Sequence, residues 1–213
     1  MKKVLALLLV LSLGFCLFAA GTAETAKPAA VAEWKAKGTP LADVRVRQAL
    51  RYAIDMDTIV ETVFEGKAAT AVSMTSPGSW LAEGLESYSY NPEKAKQLLK
   101  DAQWPADYTL DVVYYYADQQ TVDLMSIIQQ YWAAVGVKSA FRKLEGDLAA
   151  QLWVAPADKV NGPSAVKWDI AYAAVAAIAE HEFYNRLEST ATNNSTVPKQ
   201  AKLDELIQAT NAT

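Results

Sequence analysis

Histidine and cysteine are nearly absent from this 213-residue chain, which holds one of each, His181 and Cys16. A Cys–His nucleophile pair is excluded, because Cys16 lies in an apolar N-terminal run that we expect to be removed. A serine triad would depend on His181, and no Gly-x-Ser-x-Gly turn presents a serine. Zinc sites with several His or Cys ligands are excluded, and no glycine-rich phosphate loop is present. The sequence therefore predicts a non-enzymatic protein without a metal or cofactor.

Positive charge is also scarce. The chain has 20 Lys and Arg against 24 Asp and Glu, a formal net charge of −4. Lys2 and Lys3 form the only basic cluster. Because phosphate backbones require a basic face, we expect no nucleic-acid partner.

Long apolar runs are absent except at the N-terminus. Lys2 and Lys3 precede the apolar residues 4–20, and small residues follow around Ala23. This order is typical of a secretory signal peptide, and the run is short for a membrane span of about 20 residues. We therefore expect residues 1–23 to be a signal peptide and the protein to be exported to the periplasm.

Cys16 offers a second interpretation of the leader, because Leu13-Gly14-Phe15-Cys16 weakly resembles a lipobox. The bulky Phe15 argues against lipid attachment at Cys16. If the leader is removed beyond Cys16, the mature chain contains no cysteine and forms no disulfide, despite its export.

Strands and helices alternate after a region without sustained periodicity. Residues 24–40, rich in Ala, Lys and Pro, predict a tether. The main elements predicted after it are helices opening at Asp43, Asp57 and Asn91, strands over 108–116, 137–144 and 168–175, and helices over 118–135, 147–153 and 201–209. This alternation favours an α/β class, with a mixed, partly parallel sheet flanked by helices. We expect residues 41–213 to form one lobe.

Aromatic residues are abundant, with ten tyrosines and six tryptophans. Clefts that bind peptides or sugars use such side chains for contact area with a polar tip. Trp80, in an irregular loop after a Pro-Gly turn, is a candidate for such a cleft, with core packing as the alternative. For Tyr114, Tyr115 and Tyr116, at a strand end, we expect alternation between core and solvent.

Glu180, His181 and Glu182 are adjacent at the end of an apolar strand. Such a trio suits acid–base or metal chemistry. A polar strand end that enters a loop is the simpler interpretation, and we favour it.

Four blocks of sequence resemble the second lobe of family 5 extracellular solute-binding proteins, the oligopeptide-, dipeptide- and nickel-binding type. They occur in the family's order and spacing: PLADVRVRQALRYAIDMDTIVETVFEG (40–66), SPGSW (76–80), YNPEKAKQLLKDAQW (90–104) and VGVK (135–138). The resemblance covers about residues 38–178. Gln103 stands where a Gly usually ends the helix.

The resemblance implies one lobe of a type II periplasmic-binding-protein-like fold. It also implies a receptor that captures a peptide, or a similar small solute, and delivers it to ABC permease subunits. Two lobes close over the ligand in such receptors. Here a tether stands where the first lobe and hinge would be, and the lobe itself is C-terminally incomplete. We therefore expect that a separate first lobe completes the receptor.

One ligand contact is implied by the resemblance. The family's second lobe often places an acid after a Gly/Ala-rich strand, where it pairs with a peptide's α-amino group. Glu180, after WDIAYAAVAAIA (168–179), is the nearest match. His181 is an alternative, and Tyr172 would line the same wall. The Pro-Asp-Pro-like turn that usually follows is missing.

Two functions remain open. The chain is either the partial substrate-binding component of a peptide-type ABC importer or a truncated, non-binding remnant or interaction module. Because one lobe encloses a ligand on one side only, we expect peptide binding weaker than micromolar for the isolated chain.

Overall fold

Each of the first five helices begins after an Asp or Asn, a residue type that suits helix starts. In the computed structural model, which describes residues 39–75, 81–154, 166–173, 184–191 and 200–211, the side-chain oxygen of each cap accepts a backbone N–H of the first turn. The caps are Asp43, Asp55, Asn91, Asp118 and Asp147. Such caps satisfy amides that the helix leaves unpaired, each contributing about 1 kcal/mol.

The described elements follow in the order α1 (Val44–Tyr52), α2 (Met56–Thr62), α3 (Pro92–Asp101), β1 (Thr109–Tyr114), α4 (Gln119–Ala134), β2 (Lys138–Lys143), α5 (Leu148–Leu152), β3 (Ile170–Tyr172) and α6 (Ala201–Asn211). A short 3₁₀ turn, Pro40–Ala42, precedes α1. The sequence places most of these elements to within a few residues. The cap of α2 is Asp55, however, and not the predicted Asp57, which lies in the first turn.

The sheet has the strand order β2-β1-β3, with β1 in the centre and both pairings parallel. In the register, Tyr114 lies opposite Lys143 on one side and Tyr172 on the other. The three strands therefore end level. The predicted α/β class is confirmed, and the sheet that was expected to be mixed is wholly parallel within the described residues.

The central strand β1 is covered on both faces, as parallel strands usually are. Leu110 and Val112 belong to the larger buried cluster, together with residues of α1, α3 and α4. Val113 points to the other face and packs with Leu144 and Leu152 in a smaller cluster.

Helix α4 joins the sheet to α1. The indole nitrogen of Trp132 donates a 3.0 Å hydrogen bond to the buried carbonyl of Leu50. The helical spacing of apolar residues in this segment predicts that Val122, Met125 and Trp132 face inward. Met125 and Trp132 do so, together with Thr121 and Leu124. Val122 is instead 37% exposed, because the buried stripe runs through Thr121 and Leu124 and not through Val122.

Gln103, which stands where the family pattern has a glycine, adopts the backbone conformation of a glycine. Its φ of 55° lies in the left-handed region that glycine adopts without steric cost. The chain therefore keeps the backbone turn that ends α3, with a residue for which this conformation is less favourable.

Over the described residues, no helix combines the length and the apolar character that a membrane span requires.

Candidate functional site at the carboxyl end of the sheet

The carboxyl ends of the three parallel strands meet at one edge. Tyr114 ends β1, Lys143 ends β2 and Tyr172 ends β3. In open α/β sheets, ligands bind in the crevice beyond this edge. The topology therefore indicates a binding site at this edge of the sheet.

Three tyrosines, Tyr115, Tyr116 and Tyr172, collect at this edge, and we call them the tyrosine cluster. The ring centroids of Tyr115 and Tyr116 are 4.2 Å apart, and those of Tyr116 and Tyr172 are 6.0 Å apart with planes at 70°. The hydroxyl of Tyr115 donates to that of Tyr116 over 3.0 Å. The pair of Tyr116 and Tyr172 has the edge-to-face geometry that aromatic pairs favour. Three rings thus form one continuous aromatic surface.

The cluster is only partly buried. Tyr172 is 37% exposed, and Tyr115 and Tyr116 are half-buried. Tyr115 packs on the smaller hydrophobic cluster, whereas its neighbour Tyr114 packs on the larger one. The predicted alternation of these tyrosines is therefore right, but the second face is a second core and not solvent.

A carboxylate lies close to the tyrosine cluster. Asp118, two residues beyond Tyr116, caps α4 by accepting from the N–H and the hydroxyl of Thr121 at 2.8 and 2.9 Å. These bonds lower the pKa of Asp118. Burial, and then the negative charge of Asp118, raise the pKa of Tyr172. Asp118 is therefore ionised at neutral pH, and the phenol of Tyr172 is neutral.

A different arrangement lies towards the amino ends of β1 and β3. Asp169 accepts from the hydroxyl of Tyr108 at 2.7 Å and from the N–H of Asp111 at 2.8 Å. The guanidinium of Arg142 donates two hydrogen bonds, of 2.7 and 2.8 Å, to the Asp111 carboxylate. We call these four residues the aspartate network. Because their polar groups bond to one another across the three strands, they hold the sheet together.

A shallow groove between α2 and α4 is the third surface feature. Its lining is mostly polar: Thr62, Val63, Glu65, Gln120, Asp123, Ser126, Ile127 and Gln130. It shares no residue with the tyrosine cluster. Its open, mixed lining gives no reason to prefer it over the sheet edge.

One of the four predicted ligand-binding residues falls on described structure. Tyr172 lies at the carboxyl end of β3, as part of the tyrosine cluster. Trp80, Glu180 and His181 lie outside the described residues, so their roles stay predictions. The sequence reasoning missed Tyr115, Tyr116 and Asp118 as site residues. The available signal was their position directly after the first parallel strand.

Among the described residues, no group of three or more His, Cys, Asp or Glu is arranged to hold a metal ion. The chemistry at the sheet edge is instead that of aromatic faces, phenol hydroxyls and one carboxylate. Such a surface binds by contact area, hydrogen bonding and charge.

Curated relatives match about half of the chain. The dipeptide-binding protein of Escherichia coli is 36% identical over 105 residues, which are 47% of this chain and 20% of that protein. Heme-binding protein A of Haemophilus influenzae is 35% identical over 105 residues, 47% of this chain and 19% of that protein. The matched segment thus spans about a fifth of the length of these relatives.

Solved structures share the fold over most of the chain. The oligopeptide-binding protein AppA of Bacillus subtilis, in complex with a nonapeptide, superposes with a TM-score of 0.63 at 20% identity, covering 81% of this chain and 36% of that one. NikA of Staphylococcus aureus, in complex with Ni(L-His)2, gives a TM-score of 0.66 at 18% identity, covering 83% of this chain and 37% of that one. At these identities the likeness establishes a type II periplasmic-binding-protein fold.

The family model for bacterial extracellular solute-binding proteins, family 5 (middle region), matches residues 26–194. This family and fold are those of substrate-binding proteins of ABC transporters and not of enzymes, which confirms the non-enzymatic expectation. The chain belongs to the family 5 bacterial extracellular solute-binding proteins.

Proposed function

We propose that this chain supplies the solute-contacting surface of one lobe of an ABC-importer receptor, and that the solute is a peptide or a similar small molecule. The observation that carries the proposal is the tyrosine cluster at the carboxyl end of a parallel sheet, with the ring of Tyr172 partly exposed. Tyrosines offer broad contact area and a hydroxyl at low cost in conformational entropy. Peptides of varied sequence need this kind of surface.

The relatives support a peptide-like solute. Curated relatives include a dipeptide-binding protein and a glutathione-binding protein, and AppA of Bacillus subtilis was solved with a nonapeptide. A heme-binding protein and a nickel-complexed NikA also match, so a non-peptide solute is the competing case. The absence of a metal-ligand group among the described residues gives no support to the nickel case.

In this proposal residues 1–23 direct export and are removed, residues 24–40 form a tether, and residues 41–213 form the lobe. Trp80, Glu180 and His181 would extend the binding surface beyond Tyr172. A first lobe, in a longer form of the chain or in a separate polypeptide, would close over the solute and present it to the permease subunits in the periplasm. Enclosure by that lobe would supply the 70–90% burial of the ligand that tight small-molecule sites show.

The test is thermal unfolding of the purified exported protein, with and without a mixed library of tri- and tetrapeptides at millimolar concentration. A ligand that binds only the folded state stabilises it by mass action, by about 1.4 kcal/mol at ten times its dissociation constant. For a domain of this size, that corresponds to an upward shift of about 3–6 °C in the unfolding midpoint. We expect such a shift at millimolar peptide only, because one lobe encloses the ligand incompletely.

The matched control is an equal concentration of free amino acids at the same ionic strength, which tests for a general solute effect. An unchanged midpoint across the library, or an equal shift with the free amino acids, would contradict peptide capture.

A further inference from the structure

The last turn of α1 carries an arginine whose charge has no partner. Over the described residues, the guanidinium groups of Arg45, Arg47 and Arg142 donate to carboxylates or carbonyls. The guanidinium of Arg51 makes no hydrogen bond or ion pair with any described residue, although its side chain is half-buried. Burial lowers the pKa of Arg51. Because a cation that is partly withdrawn from water gains from an opposite charge, Arg51 is suited to an anionic partner.

A second cation, that of Lys94, lies beside the residue that follows Arg51. The ammonium of Lys94 is 3.9 Å from the ring centroid of Tyr52 and donates to the hydroxyl of the same residue. This bond raises the pKa of Lys94. An ammonium has three donors, and the described residues accept from one of them. Two donors of Lys94 are therefore left for a ligand.

Tyr88 brings a phenol close to both cations. Its ring centroid is 5.1 Å from that of Tyr52, and its phenol is near enough to act upward on the pKa of both Arg51 and Lys94. The φ of Tyr88 is 51°, in the left-handed region that an aromatic residue rarely adopts. Such strained residues are concentrated at functional sites. The backbone of Tyr88 therefore marks this place as a candidate site.

Two carboxylates lie near the cations without pairing with them. Asp57 acts upward on the pKa of the guanidinium, and Glu86 on that of the ammonium. The bonds of these carboxylates go elsewhere: Asp57 accepts from the hydroxyl of Thr70 at 3.1 Å, and Glu86 accepts from the N–H of Tyr88 at 3.2 Å. The donors of the two cations therefore stay available.

The three side chains lie away from the tyrosine cluster. Helix α4 begins beyond the carboxyl end of β1 and ends before the amino end of β2. Trp132, near the end of α4, bonds to the carbonyl of Leu50, so the end of α1 lies towards the amino ends of the strands. A solute at the carboxyl end of the sheet would not occupy this place.

We propose that Arg51, Tyr88 and Lys94 form a second binding site, which takes an anionic oxygen group, either a phosphate or a carboxylate. A guanidinium presents paired N–H donors that match two oxygens of either group. The ammonium adds a second positive charge, and the phenol adds a neutral donor. We call these three residues the anion site. It goes beyond solute capture and does not depend on it.

The experiment titrates the purified exported protein, labelled with nitrogen-15, with sodium phosphate and separately with sodium acetate. Sodium chloride keeps the ionic strength constant, and the Nε–H signals of the arginine side chains are followed. We expect the Arg51 signal to shift and to saturate at millimolar concentration of at least one of the two anions. The signal of Arg142, which is bonded to Asp111, should stay in place. The anion that saturates the Arg51 signal at the lower concentration identifies the ligand class.

Variants locate the binding, followed through the backbone amide of Tyr88. Arg51→Gln should weaken the binding of the anion about tenfold, because it removes the paired charged donors. Lys94→Gln should weaken it about threefold, because one charge is lost and a neutral donor stays. Lys100→Gln is the matched control: Lys100 is exposed on the same helix, α3, and its loss removes the same charge, so binding should change by less than about twofold.

Three results would overturn the anion site. One is an Arg51 signal that saturates with neither anion, and another is an equal shift of the Arg142 signal. The third is binding by Arg51→Gln and Lys94→Gln that is as tight as that of Lys100→Gln. The first two are read on the unmodified protein, so they decide the question even if Arg51→Gln does not fold.

Discussion

The aspartate network and the tyrosine cluster lie on the same three strands, yet they are built from opposite chemistry. In the aspartate network, carboxylates bond to a phenol, a backbone amide and a guanidinium at 2.7–2.8 Å. In the tyrosine cluster, one hydroxyl–hydroxyl bond links two rings, and a third ring is 37% exposed. In the first region the polar groups bond mainly to one another. In the second the contacts are mainly between aromatic rings, and that of Tyr172 stays partly exposed.

This difference separates stability from function within one small sheet. Partly buried polar groups that bond to one another hold strands in place, and losing one partner leaves the other without its hydrogen bond. Partly exposed aromatic groups contribute to folding mainly through the apolar area that they bury, and leucine at Tyr172 keeps part of that area. The comparison therefore predicts large stability effects in the aspartate network and small ones in the tyrosine cluster.

The largest effect is expected for Asp169→Ala. The variant removes the acceptor of the Tyr108 hydroxyl and of the Asp111 amide. Leaving two partly buried donors unpaired should lower the free energy of unfolding by about 2–3 kcal/mol. Urea denaturation measures it. The matched control is the exposed Asp107→Ala, expected to change stability by less than about 0.5 kcal/mol. If both variants lowered the free energy of unfolding equally, the aspartate network would have no special role in stability.

The second effect is a dependence on alkaline pH. Burial and the bond to Asp169 raise the pKa of Tyr108 to about 12, from an ordinary 10. Since this pKa is higher in the folded than in the unfolded chain, the contribution of Tyr108 is fully present below pH 10 and is lost as pH rises through 12. Denaturant titrations at pH 9 to 12 should show a steeper decline for the unmodified protein than for Tyr108→Phe. If the free energy of unfolding declined equally in both proteins, the ionisation of Tyr108 would not be linked to folding.

A smaller effect is expected for Arg142→Met, which keeps the unbranched apolar part of the side chain and removes its charge. The pair with Asp111 is bidentate, but the Arg142 side chain is 48% exposed. Exposed ion pairs contribute about 0.2–1 kcal/mol, and we expect about 0.5 kcal/mol here. The difference in the free energy of unfolding between the variant and the unmodified protein should become smaller in 1 M NaCl. A loss above 2 kcal/mol that persists in high salt would show that the pair acts as a buried one.

The smallest stability effect is expected in the tyrosine cluster. Tyr172→Leu should change the free energy of unfolding by less than about 0.5 kcal/mol, because the residue is partly exposed and leucine keeps apolar contact. The same variant is expected to impair solute binding. A stability loss greater than 1.5 kcal/mol would make Tyr172 a structural residue and would remove the contrast between the two regions.

Much of the fold was predictable because local signals and tertiary packing agree. Asp43 and Asn91 are strong helix caps followed by apolar residues at helical spacing, and the structure confirms both helix starts. Gly136, with φ of 86°, ends α4 as predicted. Parallel strands separated by a helix follow from the order of the segments.

Errors occurred where several interpretations of the same pattern were possible. Asp55 and Asp57 both precede the apolar residues of α2, and only the structure shows that Asp55 accepts the bond from the Thr58 amide. The sequence of residues 68–74 also predicts an extended segment, but these residues form no strand with the described part of the chain and are mostly exposed.

The candidate site was the least predictable part. Tyr115 and Tyr116 share a strand-end pattern that also fits ordinary core packing, and the structure shows that Tyr115 does both. The approach of Tyr172 to Tyr116 depends on the pairing of β1 with β3, two segments separated by more than 50 residues. The spacing of residues along the chain does not predict that pairing.

The most direct test of the account is a titration of the exported protein, labelled with carbon-13 in its tyrosine rings, with the tripeptide Ala-Lys-Ala. If the carboxyl end of the sheet binds solute, the ring signals of Tyr115, Tyr116 and Tyr172 will shift progressively, while that of Tyr108 stays in place. Shifts that centre on Tyr108 or on Tyr90 and Tyr131, with the tyrosine cluster unmoved, would contradict the assignment of binding to this end of the sheet.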